Sequence, residues 1–489
     1  MICRLALLFL VPAAWAADYY VTQSGAGSQT GADLSNAWSM ADFNATSTPG
    51  GGDTVYFSGT LTTTTTIPVS GTDSSTRLTL DYSSATLDSS TTININGKDY
   101  LNIYGGTFAA RGTSVSLFSS GGSGEATYIT ISGWSFTGTA DSVTSFFTHS
   151  SNDVTFLTLE NNTVDNVRTF FLGDGVGTHD VTISNNYART STNETVQTDI
   201  IFSGDAYNVT LEGNKFIMRA PGDQVVRHND VVQIYKKGGG GAGNPYGWVV
   251  RYNWLENANT TGSGDTSISQ IQSLADNGGT PAMKVYGNVF VGTGTSGGNG
   301  WTSGLSAGTA TIYFYNNTVI KDNNPDQNIQ FNDSNIQLYM SNNLGVQDTD
   351  VVGGTFVSVT GAVEAADWNY NYFYDDGITI PPGATSTVTG ANGSSTTDPL
   401  FTDFANNDYT LQSSSTLIDA GDSSLGAEYN QGIAPGATWP NPTLTTRDTW
   451  DVGAYEHVSS AYTGQPGQLR FGGKGAKPSL SGGARFKLN

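Results

Sequence analysis

A short strand pattern that ends in an asparagine recurs along this chain and constrains its fold more than any other feature. Segments such as FLTLENNTV from residue 156 and NVTLEGNKF from residue 208 alternate apolar and polar residues and then reach an Asn turn. The recurring positions are Gly106, Trp134, Asn162, Asn186, Asn214, Asn253, Asn288, Asn317, Asn343 and Asn371. They are 24 to 39 residues apart, which is the period of a repeat protein.

This period favours an all-β fold, because no stretch after the N-terminus shows the spacing of an amphipathic helix. We predict a right-handed parallel β-helix, a solenoid of about ten or more coils that buries one continuous apolar column. Asn tolerates the left-handed backbone of a turn, and stacked Asn amides bond from coil to coil. A β-sandwich is the competing fold, but it predicts turns about every 8–12 residues without this longer period.

The two ends of the chain differ from the repeats. Residues 1–16 carry Arg4, an apolar run and an Ala14-Trp15-Ala16 ending, which predicts a signal peptide and a secreted protein, extracellular or periplasmic. The single cysteine, Cys3, lies in that segment, and no later run has the length of a membrane span. We predict one β-helix domain over residues 17–457 and a Gly/Ser-rich, basic, disordered tail over 458–489.

The segments YYVTQSGAGSQTG from Tyr19 and DVGAYEH from Asp451 resemble the first and last coils of secreted bacterial right-handed β-helix proteins. This resemblance extends over nearly all of residues 17–457, and it implies a fold without implying an activity.

Positive charge is concentrated in one part of an acidic body. Between residues 17 and 457, fourteen Lys and Arg face forty-two Asp and Glu. Seven of these cations lie between residues 215 and 284: Lys215, Arg219, Arg227, Lys236, Lys237, Arg251 and Lys284. The two longest repeat intervals, 39 and 35 residues, fall in the same stretch, and insertions in a solenoid often form its binding face. We expect an anionic ligand here and exclude nucleic acid, because seven scattered cations cannot neutralise many phosphates.

Strand alternation predicts which side chains face outward. Residues three and five before each marked asparagine are apolar and should point inward, so residues two and four before it should face solvent. The outward set includes Glu212 and a group that we call the predicted track: Arg251, Lys284, Tyr286, Tyr313, Tyr315 and Tyr339. Aromatic faces stack on sugars and cations pair with sugar carboxylates, so the track suits an acidic polysaccharide. The alternative is a structural tyrosine ladder in which Arg251 pairs with Glu212.

A second strand holds dense polar residues just before the first long interval. It runs from Arg227 and His228 through Asp230 and Gln233 to Lys236 and Lys237, and the matching strand one coil later holds Gln270 and Gln272. The segment Ile234-Tyr235-Lys236, followed by VVRYNWLENAN and KVYGNVFVGTG, resembles the alginate lyase and chondroitinase B family of β-helices.

That resemblance implies cleavage of a uronate polymer such as alginate or pectate by β-elimination, with Lys236 as the base. The family places an arginine on the next coil, where this chain has Gln270-Ile271-Gln272. We therefore assign the substrate carboxylate to Arg251, and protonation of the leaving oxygen to His228 or a tyrosine. The predicted substrate contacts are Arg227, Gln233, Lys237, Gln270, Gln272, Lys284, Tyr286, Tyr313, Tyr315 and Tyr339. Asp230 and Asp276 either orient His228 or hold Ca²⁺.

Three other functions stay open. A C5-epimerase uses the same proton abstraction, and Arg227-His228-Asn229-Asp230 is similar to the Asp-Pro-His motif of mannuronan epimerases without its Asp and Pro. A glycoside hydrolase needs a pair of carboxylates, for which Asp230, Asp265 and Asp276 are the candidates. A non-catalytic glycan-binding β-helix or adhesin needs only the track. In each case we expect a monomer.

Overall fold

The computed structural model describes residues 16–458 with several internal gaps. These gaps are residues 112–114, 121–123, 140–143, 150–152, 174, 176, 192–198, 220–228, 237–243, 259–265, 272–273, 293–300, 304–307, 322–328, 332–334, 348–356, 360–361, 364–368, 375–391 and 394–396. The predicted signal peptide, apart from Ala16, and the predicted tail after residue 458 lie outside the described residues.

Each coil of the chain contributes strands to parallel ladders, which confirms the predicted parallel β-helix, although its number of complete turns, about eight, is somewhat lower than the predicted ten or more. Ladder A consists of Asp18–Thr22, Thr54–Leu61, Leu78–Leu87, Leu101–Phe108, Ala126–Thr137, Val154–Glu160, His179–Ser184, Tyr207–Glu212, Trp248–Arg251, Met283–Tyr286, Ala310–Tyr315, Ile336–Ser341 and Ala362–Val363. Ladder B consists of Thr163–Val167, Tyr187–Thr190, Lys215–Met218, Trp254–Asn257, Val289–Gly292, Thr318–Lys321, Leu344–Gln347 and Tyr372–Tyr374. From Val154–Glu160 onward, the asparagine turn joins the ladder A strand of a coil to its ladder B strand. Within such a coil, the ladder A strand is therefore followed directly by the ladder B strand.

The third ladder closes the coil. Ladder C has eleven strands: Thr65–Thr66, Ile93–Asn94, Ser116–Ser119, Ser145–His149, Thr169–Gly173, Ile201–Gly204, Asn229–Tyr235, Thr266–Ile271, Trp301–Ser303, Ile329–Phe331 and Val357–Val359. Every described pairing within the three ladders is parallel, as in Tyr207–Glu212 with Trp248–Arg251. Parallel strands need crossover connections, and in this chain the remaining sides of each coil supply them.

Among the described residues, helix is confined to short pieces near the two ends. Met40–Ala45 is the longest described helix, with six residues, and it is too short to cross a bilayer. The remaining helical turns and the short paired strands are Leu34–Asn36, Trp38–Ser39, Phe404–Asn406, Ala427–Tyr429, Phe401–Asp403 with Asp408–Leu411, and Gln431–Ile433 with Leu444–Thr446. The later ones belong to residues 397–458, which follow the last coil and which we call the C-terminal cover.

Strand alternation in ladder A follows the sequence prediction. Val209, Leu211, Trp248 and Val250 are fully buried in one apolar cluster that continues through the coils. Their neighbours in the strands, such as Thr210, are only half-buried on the outer side. The period-2 pattern therefore assigns the inner face of ladder A correctly, because one face of each strand packs into the apolar column.

The marked asparagines form a continuous buried ladder. Eight of them are completely buried: Asn162, Asn186, Asn214, Asn253, Asn288, Asn317, Asn343 and Asn371. Nδ2 of each donates to Oδ1 of the next, at 2.8 to 3.1 Å. Asn253 illustrates the remaining bonds: its Nδ2 also donates to Leu211 O at 2.9 Å, and its backbone N–H donates to Asn288 Oδ1 at 3.0 Å. The amides thus satisfy polar groups that the turn buries.

The left-handed residue of the turn is one position earlier than predicted. The residues with positive φ, between 53° and 65°, are Asn161, Asn185, Gly213, Tyr252, Gly287, Asn316, Asn342 and Tyr370. Each of them directly precedes a marked asparagine. The prediction that the marked asparagine itself takes the left-handed conformation is therefore wrong, and its side-chain amide is the property that the turn requires.

Replacing Asn253 with Asp tests this ladder. The substitution preserves shape but replaces the donor Nδ2 with an oxygen, which would face Leu211 O, Arg251 O and Asn288 Oδ1. Burying a carboxylate against three acceptors should lower the free energy of unfolding by roughly 2–4 kcal/mol. Urea unfolding measures the change. The exposed Asn277→Asp is the matched control, and an equal, small effect of both variants would contradict a structural role for the ladder.

Candidate active site

The predicted track occupies two adjacent rows on the outer face of ladder A. One row pairs Lys284 with Tyr313 and Tyr313 with Tyr339. The other pairs Arg251 with Tyr286 and Tyr286 with Tyr315. The register therefore brings these residues together on consecutive coils, as the sequence predicts.

The C-terminal cover packs over the second of these rows. Tyr286 and Tyr315 are 3% and 2% exposed, so the prediction that they face solvent is wrong. The ring of Tyr429 meets both edge-on, with centroids at 4.9 and 5.0 Å. Tyr313 and Tyr339 stay half-buried and stack on each other at 4.8 Å. The track is thus partly the outer layer of a second apolar cluster.

The two cations of the track are already paired. Arg251 Nη2 donates to Glu212 Oε2 at 2.7 Å, and its Nη1 donates to the Tyr286 hydroxyl at 3.1 Å. Burial alone would lower the pKa of Arg251, but these two partners raise it above its usual value. This pair is the contact that the structural interpretation of the track predicts. The assignment of Arg251 to a substrate carboxylate stays a prediction, and it requires Arg251 to leave Glu212.

Lys284 contacts the C-terminal cover rather than its own ladder. Its Nζ donates to both carboxylate oxygens of Glu428, at 2.8 and 3.0 Å. Burial opposes ionisation of Glu428, but the Lys284 bond and charge hold its pKa below the usual value. A cleft of about 360 Å³ lies beside this ion pair, lined by residues that include Tyr313, Tyr315 and Tyr429.

Hydrogen bonds also fix the cover to the asparagine turns. Trp439 Nε1 donates to Tyr252 O at 3.2 Å, and Gly453 N donates to Asn342 O at 2.8 Å. Inside the cover, Arg447 is buried and donates to Glu456 Oε2 at 3.1 Å. Residues 397–458 therefore form a bonded layer over the outer face of the later coils.

Lys236 lies on a different side of the coil. It directly follows Asn229–Tyr235 of ladder C and is exposed. Tyr235 and Phe202, on neighbouring strands, bring their rings to 4.8 Å from each other. The register pairs Gln233 with Gln270 of the next coil, and Gln233 is 6% exposed.

We call residues 215–284 the basic stretch. Its other described cations have intramolecular partners. Lys215 Nζ lies 5.1 Å from the centre of the Trp254 ring. Arg219 pairs with Asp165 at 3.4 Å and donates to Thr190 O at 3.0 Å. By contrast, Lys236 forms no ion pair with a described residue. Among the described cations of the stretch, it alone is available to an anionic ligand.

The two proposed calcium ligands belong to different segments of the coil, and their assignment to calcium stays a prediction. Asp276 accepts from Ala282 N at 2.8 Å and from Thr311 N at 2.7 Å, as a turn cap does. Asp230 is fully buried at the start of its ladder C strand. Across the described part of the chain, no group of three or more His, Cys, Asp or Glu could hold a metal ion. We assign no step to calcium.

Several predicted site residues lie outside the described structure. These are Arg227, His228, Lys237 and Gln272, and for Gln270 only the backbone position is described. Their assigned roles stay predictions.

The residues that cover the track were not predicted from the sequence. Glu428 is 144 residues from its partner Lys284, and Tyr429 belongs to a segment without the asparagine repeat. Neither position stands out by spacing or composition. The signal that could have found them is the apolar and aromatic content of residues 397–458, which indicates a packed layer.

Comparison with known proteins finds no family model and no curated protein that matches this chain. Among solved structures, pectate lyase Pel9A is 15% identical with a TM-score of 0.41, covering 91% of this chain and 97% of that chain. XylC, in its complex with xylose, is 10% identical with a TM-score of 0.40, covering 78% and 87%. A rhamnogalacturonan lyase is 14% identical with a TM-score of 0.31, also covering 78% and 87%. At these values the neighbours do not indicate an activity.

Removal of the Tyr429 ring tests whether the cover is an integral layer. Tyr429→Ala deletes a buried ring that contacts Tyr286 and Tyr315, and it should lower the free energy of unfolding by about 3 kcal/mol. Urea unfolding, followed by tyrosine and tryptophan fluorescence, measures the loss. Tyr104→Ala, at a tyrosine that is 38% exposed on ladder A, should change little. If both variants unfold like the unmodified protein, the cover does not contribute to stability.

The Lys284–Glu428 pair predicts a pH-dependent contribution. Because the folded-state pKa of Glu428 lies below its unfolded value, the pair stabilises the fold above the unfolded pKa and this contribution disappears as pH falls through the folded pKa. Glu428→Gln should therefore unfold at lower urea concentration than the unmodified protein at neutral pH, and at the same concentration in strong acid. A difference that grows on acidification would contradict this sign.

Proposed function

We propose that the protein is a secreted polysaccharide lyase that cleaves an acidic, uronate-containing polysaccharide such as alginate or pectate, with Lys236 as the catalytic base. The observation that carries this proposal is the state of Lys236. It is exposed at the end of a ladder C strand and forms no ion pair with a described residue, whereas the other described cations of the basic stretch have partners.

The chemistry follows from the requirements of β-elimination. The neutral Lys236 amine accepts the proton from C5 of a uronate, and the C–H electron pair forms the C4–C5 double bond. The bond from C4 to the glycosidic oxygen breaks, and that oxygen takes up a proton. His228 and Tyr235, the tyrosine that precedes Lys236, are the candidate donors.

A cation must also stabilise the carboxylate while C5 loses its proton. Arg227 and Lys237 are close to Lys236 in sequence and belong to the same basic stretch. We prefer them to Arg251 for this role, because Arg251 is already bonded to Glu212 and Tyr286. The partly exposed pair Phe202 and Tyr235 provides an apolar surface next to the base for a sugar ring.

Lys236→Ala tests the base directly. The secreted protein is incubated with alginate, polygalacturonate and glycosaminoglycans, and elimination is followed by the ultraviolet absorbance of the unsaturated uronate. Loss of a general base should reduce turnover by at least about 100-fold while polymer binding is largely retained. Lys215→Ala, the same change at a lysine that contacts Trp254, should retain activity.

The product distinguishes the alternative functions. A lyase product is lighter by one water than a hydrolytic product, an epimerase inverts C5 without shortening the chain, and a binding protein forms no product. The lyase proposal fails if no acidic polymer yields an unsaturated product, or if Lys236→Ala is as active as the unmodified protein.

A further inference from the structure

A left-handed corner at the start of ladder A repeats on six consecutive coils, and its side chains change from aromatic to small halfway. The residues at this corner all have positive φ, between 51° and 68°: Tyr100, Tyr128, Phe156, Asp180, Asn208 and Gly247. The aromatic rings of the first three form a stack. The ring centroids are 5.3 Å apart for Tyr100 and Tyr128, and 4.3 Å apart for Tyr128 and Phe156. The next three residues have a small side chain or, in the case of Gly247, none, and they leave a hollow beside the Phe156 ring.

Phe156 presents one ring face to this hollow. Tyr128 covers the other face in a parallel stack with an interplanar angle of 0°. The next ring, His179, is turned by 76° with its centroid 6.0 Å away, so it does not continue the stack. Phe156 is 40% exposed, which is unusual for a large apolar side chain held in a left-handed conformation.

Polar groups line the rest of the hollow. Its floor is a row of hydroxyl groups from Thr158, Thr182 and Thr210, which the register places on consecutive strands. At its side, Asp180 Oδ2 lies 2.7 Å from His179 Nδ1, and Asp180 Oδ1 accepts from Asn208 Nδ2 at 3.2 Å. These contacts fix the carboxylate while leaving it 35% exposed. The resulting groove has a volume of about 440 Å³.

We propose that this groove binds a neutral pyranose unit of a polysaccharide. A pyranose offers an apolar C–H face to the Phe156 ring, and its hydroxyl groups match the carboxylate, amide and hydroxyl groups around it. A uronate fits less well beside the Asp180 carboxylate, although the Arg77 guanidinium also lines the groove, on the side of Tyr128. The groove lies on the middle coils of ladder A, whereas Lys236 follows a strand of ladder C, and the proposal does not rest on the lyase activity.

Native affinity electrophoresis of the whole protein tests this proposal. The gels contain soluble neutral polysaccharides (xylan, galactan, mannan or dextran) or the uronates alginate and polygalacturonate. We expect at least one neutral polymer to retard the protein. Phe156→Asn should weaken that binding at least about tenfold, because it removes the aromatic face. Asn tolerates the left-handed backbone, so the fold should persist, and circular dichroism with urea unfolding verifies this.

Two further variants sharpen the result. Asp180→Asn keeps the size and backbone preference but loses the carboxylate, and it should weaken binding by a smaller factor. Tyr104→Ala removes an exposed tyrosine of ladder A that does not line the groove, and it should bind like the unmodified protein.

Three outcomes would overturn the proposal: no retardation by any neutral polymer, retardation by the uronates alone, or equal retardation of Phe156→Asn and the unmodified protein. Lys236→Ala should bind neutral polymers normally. An inactive protein that still binds them through Phe156 would therefore contradict the lyase proposal and support this one.

Discussion

The buried side-chain amide of the asparagine turn is the constraint on which the rest of this structure depends. Each marked asparagine from Asn162 to Asn343 donates to its neighbour and to a carbonyl of an adjacent coil, and Asn371 donates to Met340 O, so these turns place no unpaired amide in the interior. These bonds require the same turn in successive coils, but they do not limit the loops elsewhere. Asn214 and Asn253 bond at 2.9 Å although 39 residues separate them. The ladder thus keeps the coils in register while insertions vary.

Because the apolar column fills the inner face of the solenoid, the outer face is available for other contacts. On the later coils the C-terminal cover takes up that face, and Tyr429 packs on Tyr286 and Tyr315. The same layer pairs Glu428 with Lys284. The tyrosines and cations of the track could contact an acidic sugar, but they contact an aromatic and acidic segment of the same chain instead. Both partners offer a surface for ring packing and a carboxylate for a cation.

Local patterns predicted the fold well and the site only in part. Alternation correctly assigned Val250 and Trp248 to the interior, because burial in a strand depends on its own period. The turn was placed correctly, but its left-handed residue was not: Tyr252 and Tyr370 adopt positive φ despite a weak intrinsic preference, held by the ladder. The pairing of Lys284 with Glu428 depends on where the cover folds back, and no local pattern encodes that.

The two proposed surfaces make opposite electrostatic demands on a ligand. In the proposed reaction Lys236 must lie near C5 of a uronate whose carboxylate meets a separate cation, whereas the groove at Phe156, bordered by both Asp180 and Arg77, is proposed to hold an uncharged ring. They also belong to different ladders, so one sugar cannot occupy both. A uniform uronate polymer would satisfy only the surface at Lys236. A polymer with neutral sugars beside its uronates would satisfy both, and the Phe156 groove would then hold the neutral part while Lys236 acts on the acidic part.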